Sequence, residues 1–174
     1  MRKWRGTASW MRTVLLAVSV ALVINHFGLA LSVVNGTSMK PTLEDGDRLL
    51  INKLYYWFEE PARGDVITFK DPSHKGRYLV KRVVGIPGDR IEVQGGELYR
   101  NGKRVKEPYI DSKIEDGNYG PVTVKPGNFF VMGDNRHRHA SRDSRYKSVG
   151  LVSDAWIEGK VELILWRPSL ATSL

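Results

Sequence analysis

Three short stretches hold residue types that could do chemistry together. The first is "VVNGTSMKPTL", residues 33–43, with a hydroxyl at Ser38. A serine becomes a nucleophile only when a neighbouring base takes its proton. Taken alone, Asn-Gly-Thr-Ser is ordinary turn composition, and a structural serine is the default there. Lys40 stands two residues on, but Pro41 and the polar "TLEDGD" mark an exposed turn. The second stretch, "YLVKRVVGIPGD", offers Lys81. As a strand it puts Leu79, Lys81 and Val83 on one face and Val80, Arg82 and Val84 on the other. Burial between apolar neighbours would drive that lysine toward its neutral form, and a neutral amine is a general base. A lysine whose stem covers an open sheet face while its ammonium stays in water fits the same pattern.

The third stretch, "VMGDNRHRHASRDSRY", packs Asp134, Arg136, Ser141, Asp143, Ser144 and Arg145 between Gly133 and Tyr146. Acids, bases and hydroxyls at this density can hold another group through hydrogen bonds and ion pairs. A solvated basic loop has the same composition. His137 and His139 would share one face of a strand, but no third ligand stands near them, so no metal site is assigned.

The elements that must position these residues read mostly as strands. Period-two patterning with turn signals runs through "DRLLINKLYYWF", "GDVITFK", "RYLVKRVVGI", "DRIEV", "GELYRNGKRV", "GPVTV", "NFFVMGD" and "KVELILW". Gly95-Gly96 and Asn101-Gly102 signal tight hairpins. Only "SVGLVSDAWIEG" looks helical or turn-like, with Ser153-Asp154 as a cap. The expected fold is mostly β, folded sheets or a barrel, with "VELILW" as the closing strand rather than a second span. "LYYWF", Leu54 to Phe58, reads either as strand core or as an amphipathic surface that dips into a bilayer.

Ahead of these strands, Arg2, Lys3, Arg5 and Arg12 precede a run from Thr13 to Met39 with no Asp, Glu, Lys or Arg. A helical span needs about 20 mostly apolar residues. Asn25 and His26 interrupt the run, which places a single transmembrane helix over residues 8–27. Residues 1–7 are then a basic cytoplasmic end and residues 28–170 an extracytoplasmic domain, because positive charge stays on the inner side. A cleaved secretory signal ending near Ala30-Leu31-Ser32, or a buried core helix, would share part of this layout.

The 174 residues suit one domain plus an appendage, and 26% charged with 41% hydrophobic residues argues against general disorder. A net charge of +8 favours anionic partners, nucleic acid or lipid headgroups, without choosing between them. The chain has no cysteine, which excludes disulfides, thiolate metal sites and a cysteine nucleophile.

In order along the chain, an N-terminal span, "GTSMKPTL", "RGDVITF", "YLVKRVVGIPGD" and "FFVMGDNR…SRDSR" resemble the successive sequence boxes of bacterial type I signal peptidases. The resemblance runs to about residue 165. It implies a membrane-bound Ser–Lys dyad endopeptidase, anchored in the cytoplasmic membrane, that removes signal peptides from exported preproteins after small residues. It further implies Ser38 as nucleophile, Lys81 as general base and Ser141 as the residue orienting the lysine amine. Arg82, Asp134, Asp143 and Arg145 would form supporting ion pairs, and Met39 would lie beside the cleavage site. No metal or organic cofactor is implied, and the partners are signal peptides and the lipid bilayer, not nucleic acid. The implied fold is a mostly β catalytic domain with a small β extension at about residues 90–125, compact as in Gram-positive-like members. Gly36 stands where some members carry a serine as a second oxyanion donor, and residues 137–140 make the loop before Ser141 two residues longer than is usual. Arg136, Arg138 and Arg142 would face anionic lipid.

Two other classes share parts of this pattern. An inert, membrane-anchored β module would explain the anchor, charge and strands but not the serine, the strand lysine and the Gly-Asp-Asn-Arg cluster together. A self-cleaving DNA-binding regulator would need a helix-turn-helix where this chain has its apolar run.

Overall fold

The computed structural model describes residues 4–23 and 28–168. A helix, α1 (Trp4–Val23), is followed by strand β1 (Leu29–Val33). Among the described residues no helix is long and apolar enough to cross a membrane. The last part of the expected span, residues 24–27, lies outside the described residues.

Seven strands form one antiparallel sheet. They are β1, β2 (Arg48–Asn52), β3 (Val66–Lys70), β4 (Tyr78–Gly85), β9 (Asn128–Met132), β10 (Val152–Ser153) and β11 (Ile157–Trp166), ordered β1-β2-β11-β3-β4-β9-β10. Four further strands, β5 (Arg90–Gln94), β6 (Glu97–Arg100), β7 (Lys103–Arg104) and β8 (Tyr119–Thr123), make a second sheet ordered β7-β6-β5-β8. The hairpins either side of β6 turn at Gly95-Gly96 and Asn101-Gly102, all four residues having positive φ, as two-residue loops that match strand twist require. β11 lies between β2 and β3, its start (Ile157, Gly159 and Lys160) pairing with β3 and "VELILW" pairing with β2.

Two expectations are corrected. The strand beginning at Arg48 stops at Asn52, because the Asn52 side chain accepts hydrogen bonds from the N–H groups of Leu54 and Tyr55. That starts a one-turn helix, α2 (Tyr55–Phe58), with Phe58 82% exposed, so "LYYWF" is not a strand core. The segment around residues 137–140 is a turn and not a strand, so the two histidines do not share a strand face. Ser153 does cap the following 3-10 turn, Asp154–Trp156, accepting from the Ala155 N–H.

The core has three parts. Ile67, Phe69, Val83, Phe129 and Val131 pack within the large sheet. Val84, Phe130 and Met132 meet Ile91, Val93 and Leu98, which welds the second sheet to the back of β4 and β9. Val34, Met39, Leu43 and Leu49 form a third cluster under the turn that follows β1. Fully burying side chains of this size contributes about 2 kcal/mol each. β4 is thus gripped on both sides, which is the condition for holding a reactive group on it at a fixed height.

Candidate active site

Ser38 lies in the turn after β1, and the buried Met39 and Leu43 pin that turn from below. Lys81 is opposite Ile67 in the β3–β4 register and only 3% exposed. Its Nζ sits 2.7 Å from Ser38 Oγ and 2.8 Å from the Val80 carbonyl. Burial pushes its amine down to about 8, and the positive charges of Arg142 and Arg77 act the same way. Asp143 and Asp134 pull in the opposite direction. Lys40, the nearer lysine in sequence, is exposed.

Two carboxylates lie beside the pair and both are fully buried. Asp134 accepts from Arg82 through Nε and Nη2 at 2.8 and 2.6 Å, and from the Thr42 hydroxyl. Asp143 accepts from Arg145 Nε and Nη2, both at 2.9 Å, from the Ser141 hydroxyl at 3.0 Å and from the Gly133 N–H at 3.2 Å. Ser141 therefore spends its hydroxyl hydrogen on Asp143, while Lys81 bonds to Ser38 and Val80. Arg82 also donates to the Gly64 carbonyl and stacks 4.0 Å above the Tyr109 ring.

The Gly-Asp-Asn-Arg turn supports the serine from behind. The Asn135 N–H donates to the Ser38 carbonyl at 3.1 Å and its side-chain amide to the Thr37 carbonyl at 3.0 Å. A Cβ on Gly133 would lie 2.3 Å from the Ser38 carbonyl oxygen and 2.2 Å from Ser141 Oγ, so only glycine fits. Gly36 has φ of +109°, a conformation other residues adopt at a cost of about 1–3 kcal/mol. Its N–H donates to Asp45 at 2.6 Å, which removes it as a candidate oxyanion donor.

A cleft of about 720 Å³ opens at Ser38, with residues 30–39 on one wall and residues 76–81 on the other. Tyr78 to Val80 pair with β3 on one side, whereas β9 pairs only from Arg82 onward, so among the described residues no strand pairs with the other backbone edge of that half-strand.

A buried amine within hydrogen-bond reach of a hydroxyl is an arrangement in which the amine can take the hydroxyl's proton. Residues 7–166 match the family described as "Signal peptidase, peptidase S26". A signal peptidase I from Bacillus amyloliquefaciens is 39% identical, over 95% of this chain and 88% of its own length. The chain belongs to that family. Signal peptidase I T from Bacillus subtilis (strain 168) is 38% identical over the same shares of the two chains. A solved signal peptidase I structure from Enterococcus faecalis V583 has 32% identity and a TM-score of 0.49, covering 60% of this chain and 98% of its own.

As a member of the signal peptidase family, the chain brings Ser38, Lys81, Asp134, Arg82, Ser141, Asp143, Arg145 and Met39 to one place. Three participants escaped the reading of the sequence. Thr42 and Asn135 sat inside recognised stretches with no signal of their own. Arg136, expected at the lipid surface, is instead fully buried, held by Glu107 from the second sheet's side. Among the described residues no group of three or more His, Asp or Glu could hold a metal ion.

Proposed function

We propose that this protein is a membrane-bound serine endopeptidase that removes signal peptides from exported preproteins, with Ser38 as nucleophile and Lys81 as general base. The observation that carries the reading is the 2.7 Å contact between a buried lysine amine and a half-buried serine hydroxyl. Neutral Lys81 takes the Ser38 proton as Oγ forms a bond to the scissile carbonyl carbon. The resulting ammonium gives that proton to the departing amine as the peptide bond breaks, leaving an acyl ester on Ser38. Water then attacks the ester, losing its proton to Lys81, and the freed Ser38 regains one. The Ser38 N–H, which makes no hydrogen bond among the described residues, is one donor to the oxyanion.

The substrate enters as an extended chain along the unpaired edge of Tyr78–Val80. Backbone hydrogen bonds there give affinity without regard to side chains. The buried Met39 lines this cleft beside Ser38, and the preference for small residues next to the cut is what the family resemblance implies.

The uncharged run from Thr13 to Met39, behind four basic residues, supports a single-pass anchor over residues 8–27. Residues 1–7 then face the cytoplasm and the catalytic domain, residues 28–170 with its extension at about 90–125, faces outward. β1 argues for a retained anchor, since cleavage near Ser32 would strip the edge strand from β2. Exposed Leu31 and Val33 on β1, Phe58 on α2, and Leu163, Leu165 and Trp166 on β11 give the domain an apolar surface to lay on the bilayer.

Cleavage of a model preprotein in detergent or lipid, by the wild type and by Ser38→Ala and Lys81→Ala, tests the dyad. Both variants are expected to be silent, and processing retained by either one removes it.

A further inference from the structure

Arg136 is the largest fully buried side chain in the described protein. Its guanidinium donates twice to Glu107, Nη2 to Oε1 at 2.7 Å and Nη1 to Oε2 at 3.0 Å, and Nε donates to the Gly133 carbonyl at 2.7 Å. Glu107 lies in the segment between β7 and β8, on the extension and not on the catalytic sheet. Its carboxylate also accepts from the Tyr109 hydroxyl at 2.8 Å, and the Tyr109 ring carries Arg82. One acidic side chain therefore reaches both arms of the polar cluster around Lys81.

The same segment meets the rest of the loop. Glu115 pairs with His137 and accepts from the Arg138 N–H, while Asp116 accepts from the His139 N–H and pairs with Arg145. Carboxylates from residues 107–116 thus clamp the loop from Arg136 to Arg145. What the clamp fixes is the Gly133–Arg136 turn, which has no slack. Gly133 is in contact with the Ser38 carbonyl and Ser141, and Asn135 hydrogen-bonds the backbone of Thr37 and Ser38.

We propose that Glu107 is a positioning residue for the reaction, setting the height of the Ser38 backbone through Arg136 and the Gly133–Asn135 turn. The extension is then a brace for the nucleophile. This rests on the Ser38–Lys81 reading. A merely structural ion pair would hold the extension to the sheet, and its loss would lower activity only in proportion to the unfolded fraction. A brace predicts a slower reaction in molecules that are fully folded, because displacing a reacting group by about 1 Å can cost about 100-fold in rate.

The test uses the full chain in detergent, with kcat and KM for a model preprotein and the folded fraction by circular dichroism. Glu107→Gln is expected to lower kcat at least tenfold with KM within twofold. Glu107→Asp, which keeps the charge on a shorter arm, is expected to fall between it and the wild type. The double variant Glu107→Leu/Arg136→Met removes both buried charges, a swap that commonly preserves or raises stability. It is expected to unfold no earlier than Glu107→Gln yet to stay at least tenfold slow, because the Gly133 carbonyl has lost its donor. A folded double variant with wild-type kcat overturns the proposal, as does a Glu107→Asp or Glu107→Gln enzyme whose loss matches its unfolded fraction. Ser38→Ala, assayed alongside, separates the two levels. Cleavage by Ser38→Ala sinks the dyad, whereas a silent Ser38→Ala beside full-speed Glu107 variants sinks only the brace.

Discussion

Replacing Lys81 by methionine should abolish cleavage while making the folded protein more stable at neutral pH. Lys81 is 3% exposed, and its amine is pushed from 10.5 down to about 8, chiefly by burial. In the unfolded chain the amine keeps its ordinary pKa near 10.4. Between pH 8 and 10.5 the unfolded state therefore binds more protons than the folded one, and stability rises with pH through that window. Above 10.5 the lysine carries no charge in either state and the penalty vanishes; below 8 it is fully present. Its size is about 3 kcal/mol at pH 7 and about 2 kcal/mol at pH 9, from 1.36 kcal/mol per pKa unit.

Methionine is of similar length and does not titrate. It forfeits the hydrogen bonds to Ser38 and Val80, each of which contributes about 1 kcal/mol. The net gain at pH 7 is thus about 1–2 kcal/mol, and the difference between variant and wild type shrinks by about 1 kcal/mol at pH 9. Urea unfolding at the two pH values measures it. In the proposed reaction the same amine sets the acid limb, since only its neutral form is a base. With a pKa of about 8, the neutral fraction rises roughly tenfold from pH 7 to pH 9, and kcat/KM of the wild type should follow it. A stability difference that stays flat between pH 7 and 9, together with a flat rate profile, would refute a buried, neutral base at Lys81.

Three further outcomes can be checked independently. Gly133→Ala forces a Cβ to within 2.3 Å of the Ser38 carbonyl, so cleavage by the folded variant should fall on the order of 100-fold; wild-type rates would show that the turn does not support the serine. Asp134→Asn leaves Arg82 in a largely buried position without its charge partner and should cost about 3 kcal/mol in urea unfolding, against a loss under 1 kcal/mol if the pair is effectively at the surface. The chain has no cysteine, so Phe58→Cys can be labelled alone with an environment-sensitive dye; emission in vesicles should match an apolar setting, and water-like emission would remove α2 from the membrane surface.

The strands were largely legible because several carry their own alternation, as β5 does, and several stop just before a glycine or proline, as β5 and β9 do. Ser38 and Lys81 were legible for a different reason. Neither stands out alone, a serine in ordinary turn composition and a lysine on an apolar strand, and it is the order of the stretches that hold them that makes the two a candidate pair. α2 was not legible, because Leu-Tyr-Tyr-Trp-Phe is as favourable to a strand as any five residues can be. What breaks the strand is the Asn52 side chain capping two N–H groups, a contact of local geometry and not of pattern. Arg136 failed for the opposite reason. In "NRHRHASR" three arginines look alike, and the one that is buried is singled out by a glutamate 29 residues earlier in the chain. Nothing in the composition of "KEPYI" marks that glutamate among the 19 acidic residues of the chain.

A lysine amine lowered to about 8 amid two buried carboxylates also bears on why the site holds so many arginines. A lone carboxylate near Lys81 would hold a proton on the amine and silence it as a base. Yet the buried Asp134 and Asp143 cannot be dispensed with, because they order Thr42, Ser141 and the Gly133 N–H around the dyad. The chain resolves this by giving each acid its own guanidinium, Arg82 for Asp134 and Arg145 for Asp143, with Arg142 on the buried Asp71 nearby. Asp143 and Asp134 still raise the Lys81 amine, Arg142 and Arg77 oppose them, and burial is the largest influence and leaves the amine lowered. The ion pairs therefore keep the carboxylates' hydrogen bonds in place, while the upward pull of the two acids on the amine is outweighed by burial together with Arg142 and Arg77.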